Sequence, residues 1–160
     1  MAITFLKEEN LFHLHNDKFS FYVKIHKDGA VLCPYFGKYL SKFDFDSYGY
    51  MCDDWYAYYF DKKAQKETKH DNLWENSTEF LVPSDKYADA RPSLISVRGF
   101  SNDKLEFIYV SHRIYKGKPA LDVLPYVRDE LGEAETLEIT LKDKYKDIEV
   151  VVSLSVFDKY

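Results

Sequence analysis

The histidines and serines of this chain are the first residues whose spacing could support chemistry. His13 and His15 are two positions apart on a predicted strand, so their side chains share one face and could approach one metal ion. No third ligand follows nearby, and the Cys-x-x-Cys and His-Glu-x-x-His spacings of common metal sites are missing. Ser111 and His112 are neighbours on another predicted strand, so they point to opposite faces and cannot form a nucleophile–base pair. We therefore expect no metal site and no catalytic dyad.

Carboxylates occur in close pairs within one part of the chain. Asp44 with Asp46, and Asp53 with Asp54, are paired acids of the kind that acid–base hydrolysis uses. A retaining glycosidase needs its two carboxyl groups about 5–5.5 Å apart across a sugar, and adjacent acidic residues in a loop are more typical of solvated charge. These pairs therefore predict no catalytic residue.

An aromatic run in the same part of the chain is the best candidate for ligand binding. Residues 55–60 carry rings that could stack on the C–H faces of sugars, while nearby carboxylates accept hydrogen bonds from hydroxyl groups. Packing of the same rings into a core is the alternative interpretation. We predict a substrate-binding role for Asp53, Trp55, Tyr56 and Tyr58.

Length and composition fit one soluble globular domain, because 160 residues with 46% hydrophobic and 31% charged residues can bury a core. The net charge of -5 repels phosphate backbones, and six separate glycines cannot form a phosphate-binding loop. We expect no nucleic acid partner and no cofactor. The chain starts without a secretion-type leader, and no apolar run reaches the ~18 residues of a membrane span. We therefore expect a cytoplasmic protein without a membrane partner.

Alternation of apolar and polar residues predicts antiparallel strands along most of the chain. Three hairpins are expected, which join residues 19–25 with 31–35, 94–97 with 105–110, and 137–141 with 148–156. The Asp28-Gly29 pair supplies the positive-φ turn of the first hairpin, and the third is expected to have one face in water. No stretch holds a helical spacing. We predict an all-β fold, an antiparallel β-sandwich with a long irregular excursion around residues 44–77.

Five short motifs follow one another in a particular order. They are Phe12-His-Leu-His-Asn16, Tyr35-Phe-Gly-Lys38, Tyr87-Ala-Asp-Ala-Arg-Pro92, Ser111-His-Arg-Ile-Tyr-Lys-Gly-Lys-Pro119 and Ala134-Glu-Thr-Leu-Glu-Ile-Thr-Leu141. In this order and spacing they resemble the N-terminal β-sandwich domain of bacterial α-galactosidases of glycoside hydrolase family 36. The resemblance is weakest between residues 44 and 83.

The resemblance implies an enzyme fragment without its chemistry. In the family this domain is the first part of a β-supersandwich that precedes the catalytic barrel, and the barrel's catalytic motifs have no counterpart here. Residues 1–160 would then be a single, truncated N-terminal domain with the catalytic barrel absent. The full enzyme would hydrolyse terminal α-galactosyl residues of raffinose- or melibiose-type sugars. This portion would contribute oligomer contacts and the rim of the active site, with α-galactoside sugars and further copies of the chain as partners.

The resemblance also gives roles to individual residues. The central loop of the family reaches the mouth of a neighbouring subunit's active site with an Asp at about the position of Asp53. Here Asp54 stands where the family has a basic residue. Asp89 and Arg91 are expected to fix the strand after this loop through a charge-assisted hydrogen bond.

Two functions from other classes stay open on the sequence. One is a free-standing carbohydrate-binding module that uses the aromatic run as a stacking platform, and the other is a structural oligomerisation domain. Truncation of a sandwich also predicts unpaired strand edges and an exposed apolar face, which promote self-association.

Overall fold

The computed structural model describes six parts of the chain, which are residues 2–26, 29–44, 79–82, 95, 105–121 and 125–158. Within these ranges the chain forms eight strands and one short 3-10 turn, Lys7–Glu9. No helix in the described ranges is long and apolar enough to cross a membrane.

The first sheet holds the N-terminal strands in sequence order, each antiparallel to the next. Its strands are β1 (Ile3–Leu6), β2 (Leu11–His15), β3 (Phe19–Ile25), β4 (Val31–Lys38) and the short β5 (Glu79–Phe80). Register shifts in the β3–β4 ladder after Tyr22, opposite the part of β4 that contains Pro34. A proline has no N–H for a regular ladder, so an irregularity in pairing is the position where a strand tolerates it.

The second sheet holds three strands in the order β6 (Phe107–Lys116), β7 (Glu135–Asp143) and β8 (Glu149–Val156). Both ladders are antiparallel. Strand β7 is central because it pairs with β6 on one side and β8 on the other. The β6–β7 ladder shifts register between Tyr109 and Ser111.

Apolar side chains from both sheets meet in one core, which makes the architecture a β-sandwich. The side chains at its centre come from β2, β3 and β7 and are at most 2% exposed: Phe12, Leu14, Val23, Leu137, Ile139 and Leu141. They occupy alternate positions on their strands, as expected where one face of a strand is turned to the core. The predicted all-β antiparallel sandwich is confirmed.

Hydrogen bonds from two polar side chains link the two sheets. The Glu135 carboxylate on β7 accepts hydrogen bonds from the backbone N–H groups of Ala2 (2.7 Å) and Ile3 (2.9 Å) at the start of the first sheet. The Asn16 side chain in the β2–β3 turn donates to the carbonyl of Phe157 at 3.2 Å. Because buried backbone polar groups need partners, these contacts satisfy two backbone N–H groups and one carbonyl, and they link one sheet to the other.

Gly29 makes a close contact between the β3–β4 turn and β6. Its φ is +89°, a conformation that glycine adopts without strain. Its carbonyl accepts the N–H of Tyr109 at 2.8 Å, and a Cβ at this position would lie 3.1 Å from the Cβ of Ile108. A side chain would therefore meet both strain and crowding here.

The predicted hairpins have different outcomes. The first and third are confirmed as β3–β4 and β7–β8. For the second hairpin, Ile95 is not in a strand and the rest of its first arm lies outside the described residues, whereas β6 pairs with β7.

The expectation of one wet face on the third hairpin is wrong at Glu138 of its central strand, whereas the Lys142 side chain on the same face is 43% exposed. Thr136 and Glu138 point away from the core, yet they are only 0% and 8% exposed. Thr136 donates to the carbonyl of Gly117 and bonds the Ser155 hydroxyl, while side chains of β6 cover Glu138. A central strand between two ladders is shielded on its outer face when its neighbours carry long or hydrogen-bonding side chains.

Candidate functional site

The residues predicted to bind substrate lie outside the described part of the chain. This holds for Asp53, Trp55, Tyr56 and Tyr58, and also for the predicted structural pair Asp89 and Arg91. The roles of all six residues stay predictions. The structure does describe the part of the first sheet from which residues 45–78 depart and to which they return.

The chain leaves the first sheet across its outer face. After β4, the N–H of Tyr39 donates to the carbonyl of Lys18 at 3.1 Å, which extends the β3–β4 pairing by one residue. The ring of Phe43 then stacks on the ring of Tyr22, with centroids 5.1 Å apart and an interplanar angle of 26°. The chain just before residue 45 is therefore held by ring packing on β3.

The chain returns to the same sheet at β5. Cys33 and Leu32 of β4 pair with Glu79 and Phe80, and the N–H of Leu81 donates to the carbonyl of Val31 at 2.9 Å. The described residues on both sides of positions 45–78 thus contact the β3–β4 hairpin.

Six aromatic and imidazole rings form a cluster on the outer face of the first sheet, which we call the outer ring cluster; its members are His13, His15, Tyr22, Tyr35, Tyr39 and Phe43. The His13 ring lies between two neighbours, 4.2 Å from Tyr22 and 4.3 Å from His15. The shared face of the two histidines was predicted from their spacing and is confirmed.

His13 has a structural environment. Its Nε2 shares a hydrogen bond with the Ser20 hydroxyl at 2.8 Å, and its side chain is buried. Burial, and then the neighbouring His15, lowers the pKa of His13 to about 4. The imidazole is therefore neutral at pH 7. Among the described residues, no group of three or more His, Cys, Asp or Glu side chains is placed to hold a metal ion.

Ser20 and Tyr22, on the same face of β3, also bind the backbone of the chain that follows β4. The Ser20 hydroxyl donates to the carbonyl of Leu40 at 3.2 Å and accepts its N–H at 3.0 Å. The Tyr22 hydroxyl donates to the same carbonyl at 2.9 Å, and burial is the main cause that raises the pKa of Tyr22. This arrangement holds the backbone of Leu40 on the outer face of the first sheet. The sequence pattern did not indicate this role, because Ser20 and Tyr22 alternate with apolar residues like an ordinary solvent-facing stripe.

Ser111 and His112 lie on opposite faces of β6, as predicted. The His112 ring points into the sandwich, 4.6 Å from Phe5 and 4.8 Å from Phe12, and its Nδ1 bonds the Tyr109 hydroxyl at 2.6 Å. Burial lowers the pKa of His112. Ser111 is exposed, so the two side chains cannot work together.

The two longest sequence motifs pair with each other as β6 and β7. Arg113 Nε donates to the Glu138 carboxylate at 2.5 Å, and the Tyr115 hydroxyl donates to its other oxygen at 2.6 Å. The hydrogen bond from Arg113, followed by that from Tyr115, lowers the pKa of Glu138. These residues form a structural network on the outer face of the second sheet. Sequence reasoning did not identify it, although an Arg and a Glu on neighbouring strands were available as a signal.

A surface cavity of ≈ 470 Å³ lies beside the loop between β6 and β7, lined by residues 126–131, Glu133 and Phe157. Lys118 lies over the rings of Tyr126 (5.5 Å) and Phe157 (5.8 Å). The Asp129 carboxylate accepts backbone N–H groups of the same loop. Asp129 therefore stabilises the loop between β6 and β7.

Two facing antiparallel sheets around one apolar core define a β-sandwich class of domain. Comparison with known families agrees with this class. The model of the glycosyl hydrolase family 36 N-terminal domain matches residues 29–160. The chain belongs to this family.

Individual relatives are α-galactosidases. Alpha-galactosidase 1 of Pediococcus pentosaceus is 25% identical over 157 residues, which cover 97% of this chain and 21% of the relative. Alpha-galactosidase AgaA of Geobacillus stearothermophilus is 50% identical over 54 residues, 32% of this chain and 7% of the relative. The crystal structure of the family 36 α-galactosidase AgaB from Geobacillus stearothermophilus matches with a TM-score of 0.78 and 27% identity. It covers 100% of this chain, and the chain covers 21% of it. The chain spans about a fifth of the length of these relatives.

Proposed function

We propose that residues 1–160 are a truncated N-terminal domain of an α-galactosidase, whose catalytic barrel is carried by another part of the longer protein. The observation that carries this proposal is the unequal coverage with AgaB. All of this chain superimposes on about one fifth of that enzyme. The structural use of His13, His112, Glu135 and Glu138 supports a domain that contributes no bond cleavage.

In the full enzyme the domain would contribute the rim of the sugar site and contacts between subunits. The contacts of Phe43 and β5 with the β3–β4 hairpin support this role, because the sequence between them is rich in aromatic and acidic residues. Asp53, Trp55, Tyr56 and Tyr58 would meet the sugar there, by ring stacking and by acceptance of hydroxyl hydrogen bonds.

The substrates of the full enzyme would be raffinose- or melibiose-type α-galactosides. A structure of AgaA, 25% identical in its matched part, is a complex with raffinose, and another is a complex with stachyose. We also propose a cytoplasmic location and a homo-oligomeric assembly for the enzyme.

Two assays on the purified chain test this function. An aryl α-galactoside should show no turnover above a blank, because the domain supplies no nucleophile and acid pair. Titration with raffinose, followed by tryptophan fluorescence, should show no saturable binding by the chain alone. Turnover by pure chain would overturn the proposal.

Saturable binding would instead support a free-standing carbohydrate-binding module. The two tryptophans of the chain, Trp55 and Trp74, then provide matched variants. A signal that is lost in Trp55→Phe and kept in Trp74→Phe would place the sugar on the aromatic run. Association of the chain without turnover or sugar binding would favour the third function, a structural oligomerisation domain.

A further inference from the structure

His112 is a titratable side chain at the joint between the two sheets. It lies on the inner face of β6, where its ring is 4.6 Å from the ring of Phe5 on β1 and 4.8 Å from that of Phe12 on β2. The two phenylalanine rings also stack on each other, with centroids 4.5 Å apart. The imidazole is therefore part of the contact that holds the β1–β2 pair against the second sheet.

The described groups around this ring are uncharged. Its Nδ1 shares a hydrogen bond with the Tyr109 hydroxyl at 2.6 Å, and burial raises the pKa of Tyr109, so this hydroxyl carries no negative charge at pH 7. On β7, Ile139 is paired with His112. The charged side chains at the two ends of that face of β7, Glu135 and Asp143, are four positions from Ile139, which is about 13 Å. Strand β1 has no titratable side chain.

The other titratable side chains of these strands point elsewhere. Those of β6 and β7 that lie on the outer face of the second sheet are Arg113, Tyr115, Glu138 and Lys142. The two histidines of β2 belong to the outer ring cluster, on the opposite face of the first sheet. Lys116 is four positions from His112 and exposed at the end of β6. Burial is accordingly the cause that lowers the pKa of His112.

Protonation of His112 is unfavourable in the closed sandwich. The imidazolium would lie beside two phenylalanine rings and a neutral hydroxyl, and none of the described carboxylates is close enough to replace the water that it loses. An open form, in which β1 moves away from β6, would hydrate the charge. Because the closed form binds the proton more weakly than the open form, the open fraction rises as the pH falls below about 6.5.

Strand β1 is the part of the first sheet that this change affects most directly. It is four residues long and pairs with β2. Its N-terminal end is tied to the second sheet where the N–H groups of Ala2 and Ile3 bond to the Glu135 carboxylate, and Phe5 packs against His112. Local opening of a short strand costs less free energy than unfolding of the whole sandwich.

We propose that His112 is a pH-dependent switch: the neutral imidazole holds β1 in the sandwich, and the imidazolium releases β1 while β7 stays paired with β6 and β8. This inference goes beyond the proposed function and does not depend on it. Release of the strand exposes Phe5 and Phe12, so mild acid converts a closed sandwich into one with an accessible apolar joint. The proton comes from solvent and returns to it when the pH rises.

Amide exchange at about pH 7 and about pH 5 tests this switch, in a window above the range where carboxylic acids titrate. Two amides report on β1: that of Ile3, which bonds to Glu135, and that of His15, which bonds the carbonyl of Ala2 at 2.7 Å. The amide of Asp143, which bonds within the β7–β8 hairpin, is the reference. After division by intrinsic exchange rates, the opening constants at Ile3 and His15 should rise by up to about tenfold per pH unit below about pH 6.5, and that at Asp143 should stay constant.

His112→Phe is the matched variant, because it removes the titration and keeps a ring beside Phe5. Both chains carry His13→Phe, so that the other buried imidazole does not titrate. In His112→Phe the exchange of Ile3 should be independent of pH in this window. An equal rise with and without His112 would overturn the proposal, because another group would then be responsible. An equal rise at Asp143 would also overturn it, because the whole sandwich would then unfold.

Proton NMR of the original chain keeps the test decisive if His112→Phe fails to fold. The imidazole signals of His112 and the ring signals of Phe5 should change with the same midpoint as the pH falls. Titration of His112 without a change at Phe5 and without faster exchange at Ile3 would overturn the proposal. The phenylalanine rings would then hold the imidazolium as firmly as the neutral imidazole.

Discussion

Asp143 is the buried carboxylate on which the β7–β8 turn depends most. It is 3% exposed and ends strand β7. Its Oδ2 accepts the N–H of Glu106 at 2.7 Å, while its Oδ1 accepts those of Tyr145 (3.0 Å) and Lys146 (2.6 Å). The Asp143 side chain therefore accepts backbone N–H groups from the turn after β7 and from the residue just before β6.

The cost of Asp143→Ala can be worked out from these three contacts. The N–H of Glu106 would be left without an acceptor in a buried place, which costs about 1–3 kcal/mol. The two turn N–H groups are nearer to water and add roughly 0.5–1 kcal/mol each as lost charge-assisted bonds. We expect a loss of about 3 kcal/mol in the free energy of unfolding, and a melting temperature lower by about 6–12 °C.

Asp143→Asn should have an intermediate effect. Its single carbonyl oxygen can serve either the turn or Glu106, and its NH2 group would then face an N–H donor. We expect a loss of about 1–2 kcal/mol. Asp147→Ala is the control, because Asp147 is 94% exposed and pairs with Lys142, itself 43% exposed. It should leave the unfolding midpoint unchanged within error.

Urea unfolding followed by tryptophan fluorescence or circular dichroism measures all three variants. A loss below about 1 kcal/mol for Asp143→Ala would refute the reasoning, because the Glu106 N–H would then have found water or another acceptor. Equal losses for Asp143→Ala and Asp147→Ala would also refute it.

Two further predictions follow from the packing. Because His13 has a pKa of about 4, the unfolded chain binds a proton that the folded chain excludes, so stability should fall by about 3 kcal/mol as the pH drops from about 6.5 towards 4. Urea unfolding at each pH checks this, and His13→Phe should lose less stability over that window; an equal loss would contradict the role of this imidazole. Gly29→Ala should cost about 1 kcal/mol more than Gly117→Ala. Both glycines have φ +89°, but only at Gly29 would a Cβ meet another residue, Ile108; equal melting temperatures would contradict that crowding.

Much of the fold could be predicted from alternation alone. Apolar and polar residues alternate along β7–β8 and most of β3–β4, and Gly29 marks the first turn. Alternation could not show that the outer faces are covered. Ser20 and Thr136 have the sequence signature of solvent-facing positions, yet both are 0% exposed because hydrogen bonds from other segments reach them.

Polar contacts between residues far apart in the chain also could not be predicted from the sequence. The Glu135 carboxylate serves N–H groups that are 132 and 133 positions away in the chain. Local pattern carries no information on such a pairing, which depends on how two sheets cross. The predicted binding residues are a different case. Asp53 and Trp55 were proposed from composition and from resemblance, and both lie outside the described residues.

The size of the native protein tests the central claim most directly. The chain has a mass of 18.9 kDa and spans about a fifth of its relatives. An antibody raised against this chain should therefore detect a protein of about 90 kDa in extracts of the source cells. The protein captured by that antibody should hydrolyse an aryl α-galactoside. A native protein of 18.9 kDa, or a captured 90 kDa protein without that activity, would contradict the assignment of this chain to the N-terminal domain of an α-galactosidase.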